Sequence, residues 1–163
     1  MSAVLKLALS PLLLVQALGT RWRLPRLPEA DGPREGVAGR GAAALSLLIL
    51  GDSSAAGVGV DTQADALAGQ LSQALAKRLR CRLHWQLCAQ SGVTTAQALA
   101  LLDDARPADV AVVVSGVSDV VDQVPPARAI QHREQLLMAL RQRTGARHVV
   151  MTPVPPMHRF AGL

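Results

Sequence analysis

The chain is poor in aromatic residues: its 163 positions hold one Phe, two Trp and no Tyr. Proteins that hold single-stranded nucleic acid stack bases on aromatic rings, and this sequence offers few such platforms. Charge of one sign is not concentrated either. The net charge is +5, but the basic residues are scattered. Arg21, Arg23 and Arg26 come early, Lys77, Arg78, Arg80 and Arg82 in the middle, and Arg141, Arg143 and Arg147 late. Without a block of like charges, the sequence argues against a nucleic-acid partner. Cysteine is scarce too. Cys81 and Cys88 form no metal motif. On one strand their odd spacing points them to opposite faces, as two ordinary half-buried thiols.

Apolar residues, by contrast, make up 50% of the chain. That excludes a disordered tail, and the length suits one domain with a sizeable core. Residues 1–19 include "LKLALSPLLLVQALG", an apolar run of signal-peptide length with a small-x-small pattern at Ala17 and Gly19. The run is short for a bilayer span and contains Pro11. Arginines follow at once, which favours cytoplasmic retention. The segment reads either as a signal or as a membrane-surface or domain-packing helix. Export, membrane association and a cytoplasmic location all stay open. Residues 20–42, rich in Pro, Gly and Arg, read as a linker or extended arm, and the compact domain is expected to span 43–163.

From Ala43 onward, strands and helices alternate. "ALSLLIL" is a continuous apolar run, as in a parallel strand covered on both faces. Residues 62–79 carry Leu67, Leu71, Leu75 and Leu79 at helical spacing, opened by a capping-box pattern of Thr62 and Asp65. "CRLHWQLCA" reads as a second strand, and "TTAQALALLDD" as a short helix capped by Thr94 or Thr95. "DVAVVVS" is a third strand, residues 126–143 a helix opened by Pro126, and "HVVMTPV" a fourth strand. The order β-α-β-α-β-α-β implies an open, four-stranded parallel sheet with right-handed crossovers, an α/β fold.

Ligands of such sheets sit beyond the carboxyl ends of the strands. After the first strand comes Gly51-Asp52-Ser53-Ser54, after the second Gln90-Ser91-Gly92, and after the third Ser115-Gly116-Val117-Ser118-Asp119. The fourth is followed by Pro153, Pro155, Pro156, Met157 and His158. A hydroxyl on a tight turn with backbone N–H groups beside it suits acyl transfer: the hydroxyl attacks and the N–H groups hold the oxyanion. "GVGV" at 57–60 loosely suggests a nucleotide loop, but the third glycine and the P-loop lysine are missing.

Over residues 43–158 the chain resembles the SGNH or GDSL-type hydrolases. "LGDSSAAGVG" is similar to that family's first block, "QSGVTT" to its second, and "SGVSD" falls where the family has Gly-x-Asn-Asp. The resemblance implies a three-layer, flavodoxin-like α/β/α fold and a serine-dependent hydrolase of ester bonds. It implies Ser53 as nucleophile, Gly92 and Ser118 as oxyanion donors, and Asp52 and Asp119 as residues that shape the two turns. No metal or organic cofactor is implied, and the partner is a small-molecule ester. Ser118 departs from the family's asparagine, and its shorter side chain has one donor hydrogen without the amide's reach. The family's Asp-x-x-His block, which supplies the base, does not occur in the chain. The resemblance implies a further helix and strand before that block, so the chain reads as truncated. Of the other histidines, His132 is expected on a helix surface, His84 in mid-strand and His148 at the wrong edge of the sheet. His158 alone follows a strand's carboxyl end, as a base or a pocket wall; Asp122 also reaches that edge. A catalytically impaired copy with a binding role is the alternative.

Overall fold

A computed structural model describes residues 27–156. Segment 1–19 and His158 lie outside the described residues. Among these, the sheet has five strands: β1 (Glu35–Ala38), β2 (Ala44–Gly51), β3 (Arg82–Ala89), β4 (Val110–Val114) and β5 (His148–Met151). The spatial order is β1-β3-β2-β4-β5. β2, β3, β4 and β5 run parallel, and β1 is antiparallel to β3.

The alternation of β2 explains its unbroken apolar run. Leu47 and Ile49 face one side, with Leu83, Leu87 and helix α2 (Leu67–Leu79). Leu48 and Leu50 face the other, with Ala111, Val113 and helix α4 (Pro126–Thr144), whose Leu136 and Leu140 are fully buried. Both faces being covered, residues 47–50 are all apolar, and the strand's one polar residue, Ser46, bonds the Asp109 carboxylate nearer its start. The result is the three-layer α/β/α arrangement.

Several expectations need correction. The segment read as an arm supplies β1, so the sheet has an antiparallel edge in addition to four parallel strands. Gly36 lies so close to Trp85 that an added Cβ would stand 3.0 Å from the indole nitrogen. Ordered packing also begins before Ala43, since Ala30 and Ala38 are buried. Helix α2 starts at Leu67, not at 62. The Thr62 hydroxyl does donate to the Asp65 carboxylate, at 2.7 Å, but that bond closes a turn ahead of the helix. Leu79 is left exposed at the helix end. The segment after β3 is a 3₁₀ helix, Gln97–Asp104. Thr94 and Gln97 bond reciprocally at its start, as in a capping box. β5 stops at Met151 because prolines at 153 and 155 cannot donate to a ladder. Cys81 and Cys88 lie on opposite faces, and both are buried rather than half-buried. No helix among the described residues is long and apolar enough to cross a membrane.

Candidate active site

β2 pairs in register with both neighbours, Gly51 standing opposite Ala89 of β3 and Val114 of β4. The loops that follow these three residues therefore emerge side by side at the carboxyl end of the sheet. Ser53 lies on the first, Gly92 on the second and Ser118 on the third. Ser53 and Ser118 are half-buried, and Gly92 is exposed.

The first turn is shaped by Gly51 and Asp52. A Cβ on Gly51 would sit 2.2 Å from the Val114 carbonyl oxygen and 2.8 Å from the Ala55 side chain. Only glycine lets β2, β4 and the next helix meet there. That helix, α1 (Ser53–Ala56), opens on Asp52, which has extended backbone and accepts the Ser54 N–H on Oδ1 at 3.0 Å. Ser53 is thus the first residue of a helix capped by its own neighbour. Asp52 is 1% exposed, and its Oδ2 lies out of solvent without a hydrogen bond. Burial pushes its carboxyl pKa up. Hydrogen bonding, chiefly from the Ser54 N–H, opposes that shift without overcoming it, and the Asp119 charge adds to it.

The second and third loops are joined by a buried carboxylate. Asp119, on helix α3 (Val117–Val121), accepts the Thr95 N–H at 3.0 Å and also the Thr95 hydroxyl. That hydroxyl stands 3.3 Å from the Ser115 hydroxyl. Asp119 and Thr95 are both buried. Asp119 therefore ties the loop carrying Gly92 to the loop carrying Ser118. Gly92 itself has φ +81° and open space around its Cα, so its backbone conformation, not crowding, favours glycine.

Beside Asp52 and Ser54 lies a cleft of about 350 Å³, walled by Val114, Val117, Thr152 and Val154. Its lining is largely apolar, able to hold a small apolar group beside Asp52 and Ser54.

The described histidines stand elsewhere. His84 pairs in register with Ser46 and His148 with Val110, toward the amino ends of their neighbours, and both are exposed. His132 is not a surface residue as expected. It lies one turn before Leu136 on the buried stripe of α4, is half-buried, and has Nδ1 out of solvent without a partner. Asp122 is exposed beyond α3. Sequence reasoning named Thr95 only as a possible helix cap and Ser115 only as a strand end, and missed that they meet Asp119. It also missed Glu29, for which there was no signal.

Residues 49–162 match the GDSL-like Lipase/Acylhydrolase family. Among solved structures, the chain is similar to AlinE4, an SGNH-hydrolase family esterase, at 26% identity and a TM-score of 0.61. That match covers 75% of this chain and 66% of AlinE4. A structure titled TesA matches at 25% identity and a TM-score of 0.58, over 70% of this chain and 64% of TesA. The psychrotrophic esterase EstA from Pseudoalteromonas sp. shares the fold at 22% identity and a TM-score of 0.56, over 69% of this chain and 62% of EstA. The chain thus spans somewhat less than two thirds of the length of these relatives. No curated protein matches it significantly.

Proposed function

Since the chain belongs to the GDSL-like lipase/acylhydrolase family, we propose that it provides the nucleophile and oxyanion pocket of a serine ester hydrolase. In this reading Ser53 attacks the ester carbonyl and forms an acyl-serine. The N–H groups of Ser53 and Gly92 hold the oxyanion, and the Ser118 hydroxyl makes a weaker third contact. Asp52 sets the turn that presents Ser53, and Asp119 fixes the spacing of the two donor loops. The substrate is a small-molecule ester whose acyl part rests in the cleft beside Asp52 and Ser54. The observation that carries this reading is the register of β2 with β3 and β4, which brings the three loops to one end of the sheet.

No described histidine adjoins Ser53 in this arrangement, so the proton from its hydroxyl has no base among residues 27–156. Without a base, serine is a weak nucleophile at neutral pH. Incubation with a fluorophosphonate probe, followed by peptide mass spectrometry, tests the assignment. Modification of Ser53 in preference to Ser54, and its loss in Ser53→Ala, is the expected outcome. A second reading, a binding copy without chemistry, is favoured by Ser118 in place of the family's asparagine. It wins if Ser53 labels no faster than the exposed Ser91 while ester analogues still bind.

A further inference from the structure

The segment read from sequence as a linker touches the site from two directions. Glu29 Oε1 accepts the backbone N–H of Ser91 at 2.6 Å. Its Oε2 pairs with the Arg34 guanidinium, which also donates to the Ala89 carbonyl at the end of β3. One residue on, the Ala30 N–H donates to the carbonyl of Ala56, the last residue of α1, at 3.2 Å. The buried Gln63 amide closes this junction by donating to both the Ala30 and Ala56 carbonyls, at 3.1 and 3.0 Å. Glu29 and Ala30 are therefore fastened to the helix that starts at Ser53 and to the loop that carries Gly92.

We propose that Glu29 is a positioning residue, whose carboxylate holds the Gln90–Gly92 loop in the conformation that aims the Gly92 N–H at the oxyanion. Gln90, Ser91 and Gly92 are all exposed, and nothing lies within 4 Å of the space a Gly92 side chain would fill. Packing does not hold this loop, so hydrogen bonds must. A bond to an ionised acceptor is roughly twice as strong as a neutral one. Arg34 has a second task. A bare carboxylate near a developing oxyanion would repel it, and the guanidinium offsets that charge. The functional consequence rests on the hydrolase reading above, whereas the clamp itself does not.

The test uses the full chain with Glu29→Ala, Glu29→Gln and Arg34→Gln. Amide hydrogen exchange reads the clamp directly, and p-nitrophenyl acetate hydrolysis reads its consequence. In Glu29→Ala, exchange at Ser91 and Gly92 should rise at least about tenfold while the amides of β2 keep their protection. The kcat should fall about 10- to 100-fold with KM little changed, because the donor is misplaced, not removed. Glu29→Gln, which keeps an acceptor of the same length, should recover most of both effects. Should Glu29→Ala fail to fold, Arg34→Gln reads the same clamp through faster Ser91 exchange and lower kcat. Unchanged exchange at Ser91 and Gly92 overturns the proposal, as does an unchanged kcat in an active parent. Where the parent turns over too slowly to measure, a Ser91 exchange that responds to Glu29→Ala retains the clamp, while Ser53 labelling no faster than that of Ser91 overturns the hydrolase reading.

Discussion

Gly51→Ala is the most direct probe of how the fold presents Ser53. The new Cβ would lie 2.2 Å from the Val114 carbonyl oxygen and 2.8 Å from the Ala55 Cβ. Comfortable separations between such atoms are about 3.5 Å, so about 1 Å of space must open. Neither neighbour can swing away. One is backbone in the β2–β4 ladder, and the other is Ala55 within the short helix α1. The same Val114 carbonyl accepts the Asp52 N–H at 3.0 Å, and moving β4 outward breaks that bond. Overpacking costs about 1–3 kcal/mol, and a lost backbone bond about 1 kcal/mol. The sum, about 3 kcal/mol, corresponds to a drop in Tm of about 6–12 °C for a chain of this size. Calorimetry checks this, with a urea midpoint that falls at unchanged slope. A Tm within about 2 °C of the parent's would show that β2 and β4 are not in the close contact on which the turn depends.

Other outcomes follow from the same geometry. The raised Asp52 pKa means that ionising this carboxyl opposes folding. Its contribution is therefore most favourable below the unfolded pKa and declines as pH rises through the folded one. Asp52→Asn, which keeps an acceptor for the Ser54 N–H, should melt above the parent at pH 7, and the gap should close by about pH 4. A gap that widens on acidification would refute the assignment. Burial, aided by the Asp104 charge, pushes the Cys88 thiol up to about 11. At pH 8, iodoacetamide should therefore alkylate it at least about 100-fold more slowly in the native chain than in urea, measured by mass spectrometry. Ser118→Asn should restore a third oxyanion donor and raise the rate of Ser53 phosphonylation about tenfold, part of the 100- to 1,000-fold that one full donor contributes. Equal rates would remove Ser118 from the pocket.

How far the sequence foretold this arrangement depended on whether each feature leaves a local mark. Parallel strands covered on both faces leave long apolar runs, so β2 and β4 could be read directly. Their ends could be read too, because a burial pattern that stops at Gly-Asp-Ser or Ser-Gly must turn. β1 left no such mark. It is four residues long, contains a glycine, and is held by pairing with β3 and by the nearness of Gly36 to the Trp85 ring. Those are contacts about fifty positions away in the chain. The Pro, Gly and Arg composition around β1 describes the turns that deliver it, not the strand. Helix α2 shows a different failure. The Thr62–Asp65 pair is real, but Gln63 turns inward to bond the Ala30 and Ala56 carbonyls, which delays the helix to Leu67. The stripe of His132, Leu136, Leu140 and Thr144 was equally visible as helical spacing, but which face met the sheet was not.

The two buried carboxylates show why family motifs do not translate into equal roles. Asp119 has both oxygens engaged by one residue, Thr95, through its N–H and its hydroxyl. A buried carboxylate with both oxygens matched in this way can hold two loops at a fixed distance. Asp52 has one oxygen engaged by Ser54 and the other without a hydrogen bond. A buried polar atom left unmatched costs about 1–3 kcal/mol, and a side chain chosen for stability alone would not have it. The cost falls at the residue that caps the helix starting at Ser53. Asp119 therefore ties two loops together, whereas Asp52 carries an unmatched oxygen at the first turn. The difference between them cannot be read from "GDS" and "SD" in the sequence, because it lies in which groups the folded chain brings to each carboxylate.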